Sequence, residues 1–197
     1  MSRSRSRAAV DTSDGPWLES GDEGTRLLVF GVPEPAVLAS GAVAALVLPP
    51  AALTAGFQAL RQEHRLPILL RGDAALAAEQ GLDGVHLADG EKVADARRTL
   101  GRDALIGIDC GLSRHAAMVA GEAGADYVLF GSLDLAPPGA VSDLVRWWRE
   151  LFVLPCAVAG RYSPDSARAM AAAGSDFIAT SEADATLAQA ILIDGSS

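Results

Sequence analysis

Short apolar runs alternate with longer amphipathic stretches along most of this chain. The apolar runs are LLVFGV (27–32), VAALVL (43–48), PILLR (67–71), GVHL (84–87), LIGID (105–109), DYVLF (126–130), PCAVA (155–159) and DFIAT (176–180). Runs this short that are apolar on both faces are typical of parallel strands covered by helices on each side. The pattern therefore predicts eight strands, each followed by a helix.

The segments between the runs carry start and stop signals for helices. A helix is predicted over residues 51–64, and Ser113 is placed to cap the start of another. Ser163 and Pro164 open a third, which should run to about Ala173. A glycine that permits the left-handed conformation lies just beyond each of four predicted helices, at Gly81, Gly101, Gly124 and Gly174.

Eight strand–helix units of about 20 residues predict an α/β fold, a closed (β/α)8 TIM barrel of minimal size. An open doubly wound sheet is the alternative, but no Gly-rich dinucleotide turn follows the first strand. The barrel is expected to form a single domain over residues 26–197. Residues 1–25 are polar, rich in Ser, Gly and Asp, and aperiodic, so we expect them to form a disordered N-terminal arm.

Charge and composition narrow the classes of partner. The 197 residues are 50% apolar with a mean hydropathy of +0.23, and 16 basic against 25 acidic residues give a net charge of −9. Such acidity disfavours nucleic acid or an anionic membrane as the main partner, although it leaves room for a locally basic pocket. No apolar run reaches the ~20 residues of a membrane span. Two cysteines, Cys110 and Cys156, fit a reducing compartment, so a cytoplasmic location is expected.

Five sequence blocks match one known family in order and spacing: LPILLRGDAALAAEQGLDGVHLADGE, ALIGIDC, EAGADYVLFGS, LPCAVAGRYSP and AAGSDFIATSEA. On these blocks the chain resembles the thiamine-phosphate synthase and thiazole tautomerase superfamily (thiamine-phosphate pyrophosphorylase-like) over residues 27–190. The resemblance implies a transferase of thiamine biosynthesis that joins an aminopyrimidine diphosphate to a thiazole phosphate. It also implies a small phosphorylated metabolite as ligand, and Mg²⁺ with cationic side chains that stabilise the departing pyrophosphate.

The family's functional positions lie after the strands, at the C-terminal face of the barrel. The resemblance places the metal ligands at Asp73, one residue later than in the family, and at Glu91. It places the substrate- and phosphate-binding positions at Arg71, Asp109, Gly160, Arg161, Ser181 and Glu182.

Two cationic segments of the family are replaced in this chain. The Gln-Leu-Arg-Glu-Lys segment after the second strand becomes residues 46–50 (LVLPP), and the Thr-x-Thr-Lys segment after the sixth becomes residues 136–139 (APPG). Asp109 and Glu182 add carboxylates where phosphates are expected, and like charges there repel. We therefore expect an ordinary synthase activity that is weak or lost, with Arg71 and Arg161 as compensating cations.

The single residues leave several alternatives open. Asp109 is the candidate acid–base residue, because strand alternation should turn it into the barrel with Gly107. His86 is expected to be a hydrogen-bonded structural residue. Other readings are a tautomerase-like isomerase that uses Asp109, or a non-catalytic barrel that binds a small ligand or a partner protein. One of the tandem tryptophans, Trp147 or Trp148, is a candidate contact in a homo-oligomer.

Overall fold

The computed structural model describes residues 24–54, 56–88, 93–135 and 139–194. Residues 1–23 of the predicted N-terminal arm lie outside this part of the chain, so the arm stays a prediction. The strands are β1 (Arg26–Phe30), β2 (Val43–Leu48), β3 (Ile68–Arg71), β4 (Gly84–Leu87), β5 (Leu105–Gly111), β6 (Tyr127–Gly131), β7 (Cys156–Ala159) and β8 (Phe177–Thr180). The helices are α1 (Pro35–Ala39), α2 (Phe57–His64), α3 (Ala74–Gln80), α4 (Val93–Leu100), α5 (Arg114–Glu122), α6 (Gly139–Leu151), α7 (Pro164–Ala172) and α8 (Ala185–Asp194).

The eight strands form one closed parallel barrel in the order of the chain. Each strand pairs with the next, and β8 pairs with β1 through a register that sets Arg26 opposite Phe177. This closure leaves no open sheet edge among the strands. The prediction of a (β/α)8 barrel is confirmed, and the open doubly wound sheet is excluded.

Strand alternation divides the apolar residues into two layers. One set fills the barrel interior and includes Leu28, Val47, Leu69, Tyr127, Leu129 and Phe177. The other set lies between the barrel and the helices and includes Ile106, Ile108, Cys110, Phe130 and Trp148. Burial on both faces explains why the strands read as continuous apolar runs in the sequence.

One helix prediction was wrong, and two helix starts are confirmed. In place of a single helix over residues 51–64, a short 3-10 helix (Pro50–Ala52) is followed by α2, which begins only at Phe57. Gly56 immediately precedes α2, and the backbone freedom of glycine weakens a helix that would run through it. The Ser113 side chain caps α5, and Ser163 caps α7.

Three aspartates repeat the same contact at the N-terminal end of the barrel. Asp83, Asp126 and Asp176 each precede an even-numbered strand, and each accepts a backbone N–H from the preceding odd-numbered strand. Each also pairs with an arginine from a neighbouring helix, in the pairs Arg61–Asp83, Arg97–Asp126 and Arg149–Asp176. The three Asp–arginine clamps tie helices α2, α4 and α6 to the barrel on the face opposite its C-terminal mouth.

Candidate functional site

A cavity of about 220 Å³ lies at the C-terminal mouth of the barrel. It collects residues from β1, β2, β3 and β5 and from the segments that follow β2, β6 and β8. The described residues that line it are Phe30, Val47, Pro49, Arg71, Asp109, Ser132, Leu133, Asp134 and Ser181. Because parallel strands all end on one face of a barrel, residues far apart in sequence meet there.

Arg71 is the last residue of β3 and an exposed side chain of the cavity. Its guanidinium carbon lies 6.0 Å from the centre of the Phe30 ring, which is within the range of a cation–π contact. Within the described part of the chain, Arg71 makes no hydrogen bond and no ion pair. The guanidinium N–H groups are therefore available to an anionic ligand.

Asp109 lines the cavity from β5, as the strand alternation predicted. Its Oδ1 accepts the backbone N–H of Gly111 at 3.0 Å, next to an irregularity in the pairing of β5 with β6. The adjacent residue, Cys110, is buried in the outer layer against the helices. Asp109 is thus a half-buried carboxylate, and a backbone N–H at the end of its own strand holds it in place.

The segment after β6 contributes three lining residues that the sequence reasoning missed: Ser132, Leu133 and Asp134. The family's Thr-x-Thr-Lys segment aligns instead with residues 136–139, of which 136–138 lie outside the described residues. The signal that finds Ser132 and Asp134 is the rule already used for Arg71, that polar side chains just after a barrel strand face the mouth. The rule does not find Phe30, which is an apolar residue at the end of β1.

The other predicted binding residues lie at the same end of the barrel. Ser181, directly after β8, lines the cavity, whereas Gly160, Arg161 and Glu182 are not among its described lining residues. The Arg161 backbone N–H donates to the Leu135 carbonyl oxygen at 3.0 Å, and its side chain is exposed. Gly160 is buried at the end of β7, and Glu182 is exposed.

Only one of the two predicted metal ligands, Asp73, lies in the described part of the chain. Asp73 caps α3, where its Oδ1 accepts the backbone N–H of Leu76 at 2.8 Å, and it is not among the cavity's described lining residues. Glu91 lies outside the described residues. Across the described ranges, no three His, Cys, Asp or Glu side chains form a group able to hold a metal ion.

A buried polar pair lies next to the cavity wall, inside the barrel. His86 Nδ1 is 2.8 Å from the hydroxyl oxygen of Tyr127, and the His86 ring meets Phe30 edge to face at 4.9 Å. Burial, with a smaller contribution from the charge of Arg71, lowers the pKa of His86 to about 3. Burial raises the pKa of Tyr127 above its usual range. Both side chains are therefore uncharged at neutral pH, in keeping with the structural role expected for His86.

Space for this pair depends on a glycine. A Cβ at Gly107 would lie 2.0 Å from the Tyr127 Cζ atom, far inside van der Waals contact. The absence of a side chain at Gly107 thus leaves room for the Tyr127 ring inside the barrel, where its hydroxyl reaches His86. Gly107 of β5 therefore permits the contact between Tyr127 and His86, and the His86 ring in turn packs against Phe30.

Known proteins resemble the chain in sequence. The family profile described as "Thiamine monophosphate synthase" matches residues 51–183. The thiamine-phosphate synthase of Erythrobacter litoralis is 40% identical over 143 residues, covering 68% of this chain and 66% of that protein. The thiamine-phosphate synthase of Rhodospirillum centenum is 39% identical over 126 residues, covering 61% of each chain. The chain thus matches just under two thirds of the length of these curated relatives.

Solved structures resemble it in fold. The thiamine phosphate pyrophosphorylase from Pyrococcus furiosus superposes with a TM-score of 0.69 at 20% identity, covering 88% of this chain and 96% of that one. No helix in the described ranges combines the length and apolar character needed to cross a membrane. The family profile spans about two thirds of the sequence, and the barrel it implies is the one observed. The chain belongs to the thiamine monophosphate synthase family.

Proposed function

We propose that this protein is a thiamine-phosphate-synthase-like barrel that binds a small phosphorylated metabolite at its C-terminal mouth. We further propose that it carries out the ordinary joining of an aminopyrimidine diphosphate to a thiazole phosphate slowly or not at all. Family membership supports the place of the protein in thiamine biosynthesis. The composition of the cavity supports the loss of rate.

The observation that carries this proposal is the charge on the cavity wall. Of the described lining residues, Arg71 is the one cation, while Asp109 and Asp134 are carboxylates. A phosphate oxygen about 4 Å from a carboxylate meets a repulsion of about 4 kcal/mol at an effective dielectric constant near 20. Val47 and Pro49 line the cavity from the second strand and the segment after it, and the positions that align with the family's Arg and Lys hold Leu48 and Pro50.

Loss of positive charge matters most in the transition state. Pyrophosphate gains negative charge as its bond to the pyrimidine breaks, and preorganised cations or N–H donors are what stabilise it. Removal of one such group typically lowers the rate by on the order of 10²–10³-fold. Arg71 is the one cation that the described cavity wall offers, and Arg161 lies outside that lining at the same end of the barrel.

Mg²⁺ belongs to the proposal only as an expectation of the family. Mg²⁺ is commonly held by one or two carboxylates together with substrate phosphates. The described residues do not fit the expected pair, because the Asp73 carboxylate caps α3 and is not part of the described cavity wall. No step of the proposed function is therefore assigned to the metal.

The assay uses the purified full-length chain with Mg²⁺, the aminopyrimidine diphosphate and the thiazole phosphate. We expect thiamine phosphate to form at least about 10²-fold more slowly than in a relative that keeps the cationic segments after strands two and six. Ordinary turnover would overturn the proposed loss of activity. If ordinary turnover then collapses in Arg71→Ala and Arg161→Ala but not in Arg102→Gln, the phosphate site has been rebuilt on the two mouth arginines. Arg102 is the matched control, because it is exposed in the loop before β5.

A further inference from the structure

The cation and the carboxylates that line the cavity lie on different sides of it. Arg71 approaches it from β3, on the side where Phe30 of β1 also lies, while Asp109 and Asp134 approach from β5 and from the segment after β6. In a closed barrel of eight strands, β3 and β6 are three strands apart, so their ends face each other across much of the mouth. One wall is therefore positive and the other negative.

Arg71 and Asp134, on opposite walls, do not form an ion pair with each other. Among the described residues, neither the Arg71 guanidinium nor the Asp134 carboxylate takes part in a hydrogen bond or an ion pair. Elsewhere in the described ranges, six arginines pair with a carboxylate, namely Arg61, Arg97, Arg98, Arg146, Arg149 and Arg168. Arg71 and Asp134 line the same cavity yet remain too far apart for such a pair.

The size of the cavity limits what can join the two walls. A volume of about 220 Å³ corresponds to about seven water molecules at ~30 Å³ each. Sites for drug-sized ligands are typically about 300–1,000 Å³. The space bounded by the described residues thus accommodates one compact molecule.

We propose that the cavity binds one compact zwitterion, with a single phosphate or carboxylate group at Arg71 and an ammonium or N–H donor group at Asp134 and Asp109. Such a ligand matches both walls at once, whereas a purely anionic ligand gains at Arg71 and is repelled by the carboxylates. A diphosphate is longer and more negative, and the described cavity wall offers no second cation to pair with its additional charge. The zwitterion proposal rests on the proposed function, since both place the ligand in this cavity, and it adds the ligand's charge pattern.

Two probes of nearly equal shape test whether the negative wall adds to the binding of a phosphate at Arg71. O-Phosphoethanolamine and n-propyl phosphate carry the same phosphate and differ in an ammonium against a methyl group at the far end. We expect ¹⁵N–¹H NMR titrations of the full chain to show phosphoethanolamine binding about three- to tenfold more tightly than propyl phosphate. Inorganic pyrophosphate should bind more weakly than phosphoethanolamine.

Variants assign the preference to each wall. Asp134→Asn should reduce the preference for phosphoethanolamine to within about twofold of propyl phosphate, while Arg71→Gln should weaken both probes. Asp143→Asn on α6 is the matched control for the carboxylate, and Arg102→Gln is the matched control for the cation; neither residue lines the cavity. Both controls should leave the two affinities and their ratio unchanged.

The outcomes separate the zwitterion proposal from the proposed function. Equal affinities for the two phosphates in the wild type, both lost in Arg71→Gln, would overturn the zwitterion while the phosphate site of the proposed function stands. A preference that survives Asp134→Asn, or tighter binding of pyrophosphate, would overturn it as well. If no probe shifts the mouth resonances, and neither thiamine precursor does, both proposals fail.

Discussion

Loss of the Asp83 charge should cost this barrel far more stability than loss of the Asp176 charge, although the two residues make the same kind of contact. Asp83 Oδ2 accepts the backbone N–H of Ile68 at 2.9 Å, and its other oxygen pairs with Arg61. The two side chains of this pair are only 3% and 13% exposed. An asparagine keeps an acceptor for the Ile68 N–H, while its amide NH2 group replaces the oxygen that accepts from Arg61, so the variant removes the ion pair and keeps the contact to β3.

The difference follows from the arginine that each variant leaves behind. In Asp83→Asn, Arg61 remains buried without its counter-charge, and breaking a buried pair in this way costs about 3–5 kcal/mol. In Asp176→Asn, Arg149 is 33% exposed and lies 3.3 Å from its partner, so water replaces much of the lost interaction. The expected cost is then about 1 kcal/mol or less.

Urea unfolding followed by circular dichroism and by tryptophan fluorescence measures both costs, since Trp148 is fully buried in the outer layer. The double variant Asp83→Asn/Arg61→Met provides the internal control, because removal of the stranded cation should restore part of the lost stability. Equal costs for the two asparagine variants, or a double variant less stable than Asp83→Asn alone, would refute the reasoning from burial.

Two further predictions concern the barrel interior. Gly107→Ala should destabilise the protein by about 1–3 kcal/mol or more by forcing a Cβ into the Tyr127 ring, and Tyr127→Leu in the same chain should recover part of it. Gly139→Ala, whose Cβ would meet no atom within 4 Å, should be nearly neutral in the same unfolding assay, and equal effects of the two alanines would contradict the packing. The folded pKa of His86 is about 3, against 6.5 for the free side chain, so the unfolded chain binds the extra proton as pH falls. From this residue alone, the free energy of unfolding should therefore fall by up to about 1.4 kcal/mol per pH unit as the pH is lowered from about 6.5 to about 3. His86→Gln should lose that component of the slope and His115→Gln should keep it; a slope unchanged in His86→Gln would show that His86 is not held neutral.

Some residues of the candidate site could be predicted from their position in the sequence, and others could not. Arg71, Asp109 and Ser181 were predicted because each ends or follows an apolar run, and the structure brings all three to one cavity. Ser132 and Asp134 follow the same rule but were not predicted, because the family segment after the sixth strand aligns a few residues further on, at residues 136–139. Their role in the charge pattern appears only when the opposite wall is known.

The amino-acid sequence by itself determined the architecture. Apolar runs, helix caps such as Ser113 and the family blocks are local signals, and eight repeats of one unit leave few ways to pack. What only the tertiary structure decided is which charges meet and which stay apart. Arg61 and Asp83 are 22 residues apart and form a buried pair, whereas Arg71 and Asp134 line one cavity without touching. Distances of this kind depend on barrel closure and side-chain direction, and no local pattern encodes them.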